Sequence, residues 1–112
     1  MSQLNFEHYK GDTFKEVPFE IKVNNVAIDL TGAIVKMQLR KEYGGVVGLT
    51  FTSVASAGIT ITDVENGKFK INTQIINIDA FNYIYDIEIH FLNGIVSTWV
   101  KGNFLITNDV TR

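Results

Sequence analysis

Residues 83–106, YIYDIEIHFLNGIVSTWVKGNFLI, decide the fold. They predict two long antiparallel strands joined at Asn93-Gly94, a dipeptide that tolerates the positive φ of a two-residue type I′ turn. That turn sets Phe91 opposite Val96, Ile89 opposite Thr98 and Ile87 opposite Val100. Strand side chains alternate, so these residues share one apolar face. The other face pairs His90 with Ser97, Glu88 with Trp99, and Asp86 with Lys101 across the strands. A slip of one residue would scramble both faces, so the turn and the pattern support each other.

Working outward, the same period of two recurs. Leu4, Phe6 and His8 form a weak edge-strand pattern, broken at Gly11-Asp12. Val17, Phe19, Ile21 and Val23 alternate with Pro18, Glu20 and Lys22, and Pro18, which lacks an amide donor, belongs on an edge or at the start of a strand. Asn24-Asn25 reads as a two-residue turn that sets Val23 opposite Val26, Ile21 opposite Ile28 and Phe19 opposite Leu30. Ala33, Val35, Met37 and Leu39 resume the alternation, and Val46 to Phe51 forms a further strand beyond a loop at Lys41 to Gly45. Ile59, Ile61, Phe69 and Ile71 fall on one face if Glu65-Asn66-Gly67 is a three-residue loop with Gly67 left-handed, pairing Ile61 with Ile71 and Ile59 with Thr73. Asp79 could cap a short helical turn before Tyr83.

No segment carries a sustained 3.6-residue apolar period. About eight short strands with regular turns predict one all-β domain over residues 1–112, an antiparallel immunoglobulin-like β-sandwich, with a small barrel as the alternative. Asp79 lies four residues before Tyr83, as in the corner that precedes strand F of immunoglobulin-like domains. In that reading the Tyr83 hydroxyl bonds to upstream backbone, and Tyr85 stands where antibody domains carry a cysteine.

The composition narrows the function classes. The chain has no cysteine, which excludes disulfides, thiolate metal sites and cysteine nucleophiles. A formal charge of −2 with both signs intermixed gives no field to draw nucleic acid or an anionic membrane. No apolar run approaches the ~18 residues needed to span a bilayer, and no secretory signal opens the sequence, so a soluble protein starting in a cytoplasm is expected. His8 and His90 are isolated, Asp63, Glu65 and Asn66 lack calcium-loop spacing, and no activated serine or phosphate-cradling glycine motif occurs. Lys36, Arg40 and Lys41 form a small basic cluster that reads as a solvated face. The expectation is a protein without catalysis, cofactor or metal.

Trp99 is the most informative side chain for function. The expected register points it away from the Ile87 face, where it could anchor a protein interface, stack on a sugar, or be covered by Phe6 or Phe14 of the N-terminal segment. Ile84 and Ile34 share that outward side. Beyond the last strand, Asn108 to Arg112 is a polar arm, and Asp109 and Arg112 join Trp99 and Ile84 as candidate interface residues.

A resemblance takes the reading further. It runs from Gly11-Asp12-Thr13-Phe14 and Pro18-Phe19-Glu20-Ile21 through Asp29-Leu30-Thr31-Gly32-Ala33. It continues in Tyr83 to Ile89, Gly94 with Thr98, Gly102-Asn103-Phe104 and Asp109-Val110-Thr111-Arg112. In these features the chain resembles small β-sandwich structural proteins of phage and prophage virions, such as the N-terminal modules of baseplate upper proteins and short tail-associated proteins. The resemblance implies an architectural role in a tail, baseplate, connector or decoration layer, as a free-standing module. It implies partners that are other copies of itself or neighbouring virion proteins, in a homo-oligomer, with residence in the virion and in host cytoplasm before assembly. The alternative expectation is a small carbohydrate-binding module using Trp99 and exposed tyrosines.

Overall fold

The computed structural model describes residues 2–42 and 45–108. The stretch that dominates the sequence is also the middle of the molecule. The large sheet runs in the order β1 (Ser2–Gln3), β13 (Val96–Thr107), β12 (Phe81–His90), β7 (Ile34–Arg40), β8 (Val47–Thr52), with β2 (Phe6–Tyr9) also paired to β13. A smaller sheet has the order β4 (Val17–Glu20), β10 (Lys68–Ile71), β9 (Ile59–Asp63). Two short ribbons complete the fold: β3 (Thr13–Phe14) with β11 (Gln74–Ile75), and β5 (Lys22–Val23) with β6 (Val26–Ala27). The chain is therefore all-β, as expected.

The strands are more numerous than eight and are spread over several sheets. Two long runs are cut. At Ile21 the backbone N–H leaves the β4 ladder and donates to the Gly67 carbonyl at 2.9 Å, so β4 and β5 separate. At Leu4-Asn5 a side chain replaces a main-chain partner, because Asn5 Oδ1 accepts from the Asn103 N–H at 3.0 Å. The two pieces on either side, β1 and β2, both run parallel to β13. The large sheet is thus mixed rather than purely antiparallel.

One hydrophobic core lies between the layers. Val35, Met37, Leu39, Phe51, Ile87, Ile89, Phe104 and Ile106 of the large sheet meet Ile59, Phe69 and Ile71 of the small one, with Leu30 and Ile76 closing the gaps. In β12 the alternation is unbroken from Tyr83 onward: Tyr83, Tyr85, Ile87 and Ile89 are buried, while Ile84, Asp86, Glu88 and His90 are only partly covered. Phe19 stacks on Phe69 with ring centroids 5.1 Å apart, tying the edge strand β4 to its neighbour. Pro18 lies on that edge strand, where a missing donor costs nothing.

The central hairpin reaches its register by a different route from the one expected. The Phe91 N–H donates to the Ile95 carbonyl at 2.8 Å and the Gly94 N–H donates to the Phe91 carbonyl at 2.9 Å. Residues 92–94 are therefore a three-residue loop, with Gly94 at φ 89°. That loop needs one left-handed residue, which glycine supplies, whereas a type I′ turn would also force Asn93 into that region. The pairing then runs His90–Val96, Ile89–Ser97 and Glu88–Thr98, until a bulge opposite Ile87 restores Ile87–Val100 and Asp86–Lys101. The expected pairs Phe91–Val96, Ile89–Thr98 and Glu88–Trp99 do not form. Trp99 is the residue the bulge inserts.

The other turns divide similarly. Asn24 and Asn25 both have positive φ, 52° and 64°, and Val23 faces Val26 as predicted. The Ile28 N–H bonds the Ile21 carbonyl at 3.0 Å, but Phe19 pairs with Phe69 and not with Leu30. Gly67 is left-handed at φ 65°, yet Phe69 pairs with Ile61 and Ile71 with Ile59, two residues from the expected register. A slip of two preserves the face, so the core residues are unchanged. No helical turn forms at Asp79; a 3-10 turn occurs instead at Val54–Ser56. The Tyr83 hydroxyl does donate to upstream backbone, to the Asp79 carbonyl at 2.7 Å.

Candidate functional site

The bulge decides the fate of Trp99. Inserting one residue lets Trp99 and its neighbour Val100 both turn toward the interior. Val100 is buried and Trp99 packs against the core cluster. Its indole borders a hollow of about 350 Å3 between the sheets, shared with Leu4, Phe19, Ile21 and Lys22. The indole Nε1 is buried and has no hydrogen-bond partner among the described residues. Of the alternatives the sequence left open for Trp99, packing within the fold is the one this placement fits, with Leu4, Phe19, Ile21 and Lys22 sharing the hollow beside it. Ile84 lies on the outer face as expected. Asp109 and Arg112 lie outside the described residues.

Two surface features stand in place of Trp99. The first is apolar and lies at one end of the large sheet. Ile34 and Val96 both pair with His90, from either side. Ile95 pairs with Phe91, and Leu92 reaches the Gly32 turn, where an added Cβ would sit 3.1 Å from it. Leu92 is 77% exposed, Ile95 56%, Val96 51% and Ile34 41%. Beside them β13 has an open edge. β1 covers Val100 and Lys101 and β2 covers Phe104 to Thr107, but among the described residues no strand pairs with Val96 to Trp99 on that side. The opposite end of the sheet also shows apolar groups, Tyr9, Val46 and Phe81. β13 would span about 40 Å at ~3.3 Å per residue, nearly the full 44 Å length of the molecule. The two apolar sets therefore mark its two ends.

The second feature is polar. On the outer face of the large sheet, Gln3, Gln38, Arg40, Ile84, Asp86 and Lys101 line a hollow of about 340 Å3, with Asn103 and Thr98 at its rim. Register brings them together: Asp86 faces Gln38 on β7 and Lys101 on β13, and Lys101 faces Gln3 on β1. Arg40 is fixed by donating to the Gly45 carbonyl and, through Nη2, to Gln38 Oε1 at 3.1 Å. Desolvation holds the Asp86 carboxyl above its ordinary range, and Glu88 adds to this while Arg40 opposes it. Among the described residues the Asp86 carboxylate accepts no hydrogen bond and makes no ion pair, Lys101 included. The expected cross-strand neighbours are in place without the salt bridge.

The remaining candidates are explained locally. His8 Nε2 lies 3.0 Å from the Asp12 carbonyl, and His90 lies 3.4 Å from Glu88. No group of three or more His, Asp or Glu among the described residues is placed to hold a metal. Among the described residues no helix is long and apolar enough to cross a membrane. Sequence reasoning missed the polar hollow because Arg40 read as part of a basic cluster with Lys36 and Lys41. The available signal was Asp86 itself, a carboxylate midway along the most apolar strand. No protein-family model matches the chain, and no curated protein matches it.

Proposed function

We propose that this is a non-enzymatic structural protein of a phage or prophage particle, a tail, baseplate, connector or decoration component that works by assembling with copies of itself or with neighbouring virion proteins. The observation that carries the reading is the exposed apolar end formed by Ile34, Leu92, Ile95 and Val96, set beside the unpaired edge of β13. Apolar groups and open edges of this kind are normally covered, and repetition in a symmetric array covers them without further sequence. The elongated body, with apolar groups at both ends, suits end-to-end or edge-to-edge addition. The immunoglobulin-like form of the sandwich belongs to the same proposal, supported by the Tyr83 hydroxyl bond to Asp79. So do residence in the virion and passage through host cytoplasm.

Static light scattering across a concentration series tests it, with the protein alone and mixed with tail or capsid proteins encoded beside it. The expected result is mass growing with concentration or on mixing, and lost in Leu92→Lys and Val96→Lys. A monomer at every concentration that ignores every neighbour would overturn the proposal.

A further inference from the structure

The polar hollow on the outer face asks for an occupant of its own. Its walls carry hydrogen-bonding groups that the protein leaves unused. The Asp86 carboxylate has open acceptor positions, and Lys101 makes no ion pair among the described residues. The Gln38 amide is oriented by the bond from Arg40 to its Oε1, which leaves its N–H groups turned away from that partner. These groups sit on three adjacent strands of a paired sheet, spaced ~4.8 Å apart, so they are held on a rigid frame. Ile84 adds an apolar patch at the side.

The charges decide the class of ligand. Arg40 and Lys101 stand against Asp86, and Glu88 and Lys36 continue the alternation along the strands. With Arg40 tied to the Gly45 carbonyl and Gln38 Oε1, the open charges are one of each sign: an anion would be drawn to Lys101 but repelled by Asp86, and a cation would meet the reverse. An extended peptide adds along a free sheet edge, whereas Gln38, Arg40, Ile84, Asp86 and Lys101 lie over paired strands and only Gln3 and Thr98 border an edge. What fits both walls is a neutral molecule with donors and acceptors side by side. A volume of about 340 Å3 is within the range of small-ligand sites.

We infer that this hollow binds a saccharide, with Asp86 accepting hydrogen bonds from two adjacent hydroxyls while Lys101 and Gln38 donate to hydroxyl oxygens. The site is separate from the apolar end and does not depend on the protein assembling. It also differs from stacking on Trp99, which faces the core.

The test is a titration of the 15N-labelled full chain, followed by amide shifts, with methyl glucoside, methyl galactoside and N-acetylglucosamine as probes. Sodium acetate and ethylammonium chloride serve as the charged comparators. The expected result is that at least one sugar shifts the amides of Gln38, Asp86, Lys101 and Asn103 at millimolar concentration, and neither charged probe does so. Asp86→Asn weakens that binding at least ~10-fold, the loss of one charge-assisted hydrogen bond, and Lys101→Met weakens it several-fold. Thermal unfolding checks that both variants are folded; if Asp86→Asn is not, Lys101→Met decides. The inference is overturned if no sugar shifts those amides, if acetate or ethylammonium shifts them more strongly, or if the folded variants bind as the parent does.

Discussion

Gly102 is the point where the N-terminal segment is locked to the rest of the chain. A Cβ there would sit on the Leu4 carbonyl oxygen, a main-chain group that cannot swing aside, and 2.8 Å from the Asn5 side-chain Oδ1, which the Asn103 N–H holds in place. Gly102→Ala must therefore push residues 4–5 away from β13. Three hydrogen bonds depend on that approach: Leu4 N–H to the Lys101 carbonyl at 2.9 Å, Asn103 N–H to Asn5 Oδ1 at 3.0 Å, and the Tyr85 hydroxyl to the Leu4 carbonyl at 2.5 Å. At ~0.5–1.5 kcal/mol each, their loss predicts destabilisation of roughly 2–4 kcal/mol. Tyr85 is buried, and burial pushes its hydroxyl well above the ordinary tyrosine range, so an orphaned O–H there is costly. Urea unfolding measures the change. Tyr85→Phe alone should cost about 1 kcal/mol, and the double variant should fall short of additivity by a similar amount, because both changes remove one bond. A Gly102→Ala cost below ~0.5 kcal/mol, or strict additivity with Tyr85→Phe, would refute this account of the N-terminal strand.

Other expectations follow from the same geometry. Ile89→Ala, at a fully buried site between the sheets, should cost ~2–5 kcal/mol in denaturant unfolding through the cavity it leaves. Gly67→Ala should destabilise by more than ~1 kcal/mol, since φ is 65° and the added Cβ would lie 2.7 Å from both the Ile21 and Ile28 carbonyl oxygens. The Asp86 carboxyl is raised in the folded protein above its ordinary value of 3.8. The native state therefore holds its proton longer than the unfolded state, and stability falls as pH rises from 3.8 through the raised value. Asp86→Asn should unfold at higher temperature than the parent at neutral pH, and that advantage should vanish in scans below pH 3.8.

What was legible in the sequence is what short-range chemistry fixes. Alternation identified Val35, Met37, Leu39, Ile87 and Ile89 as core, because a strand with one buried face has only two ways to lie. Asn24-Asn25 and Gly67 announced their turns, since few residues accept positive φ. The spacing from Asp79 to Tyr83 was enough to place a hydroxyl on nearby backbone. The bulge at Trp99 was not legible, because Ser97, Thr98 and Trp99 fit either face and do not penalise a slip. Nor was the parallel pairing of β1 and β2, which joins residues 98 apart in sequence, as from Ser2 to Val100. The polar hollow escaped for the same reason: Gln3, Gln38, Asp86 and Lys101 are neighbours only once four strands have found their order.

In the proposed function, the open β13 edge and the apolar end beside it are where the protein meets its neighbours. Amide hydrogen exchange over Val96 to Trp99, compared between dilute and concentrated protein, tests it most directly. The expected result is slower exchange in that segment as assembly proceeds, and little change along β8 at the other edge of the sheet. Assembly that leaves Val96 to Trp99 exchanging as fast as in the dilute monomer would contradict it.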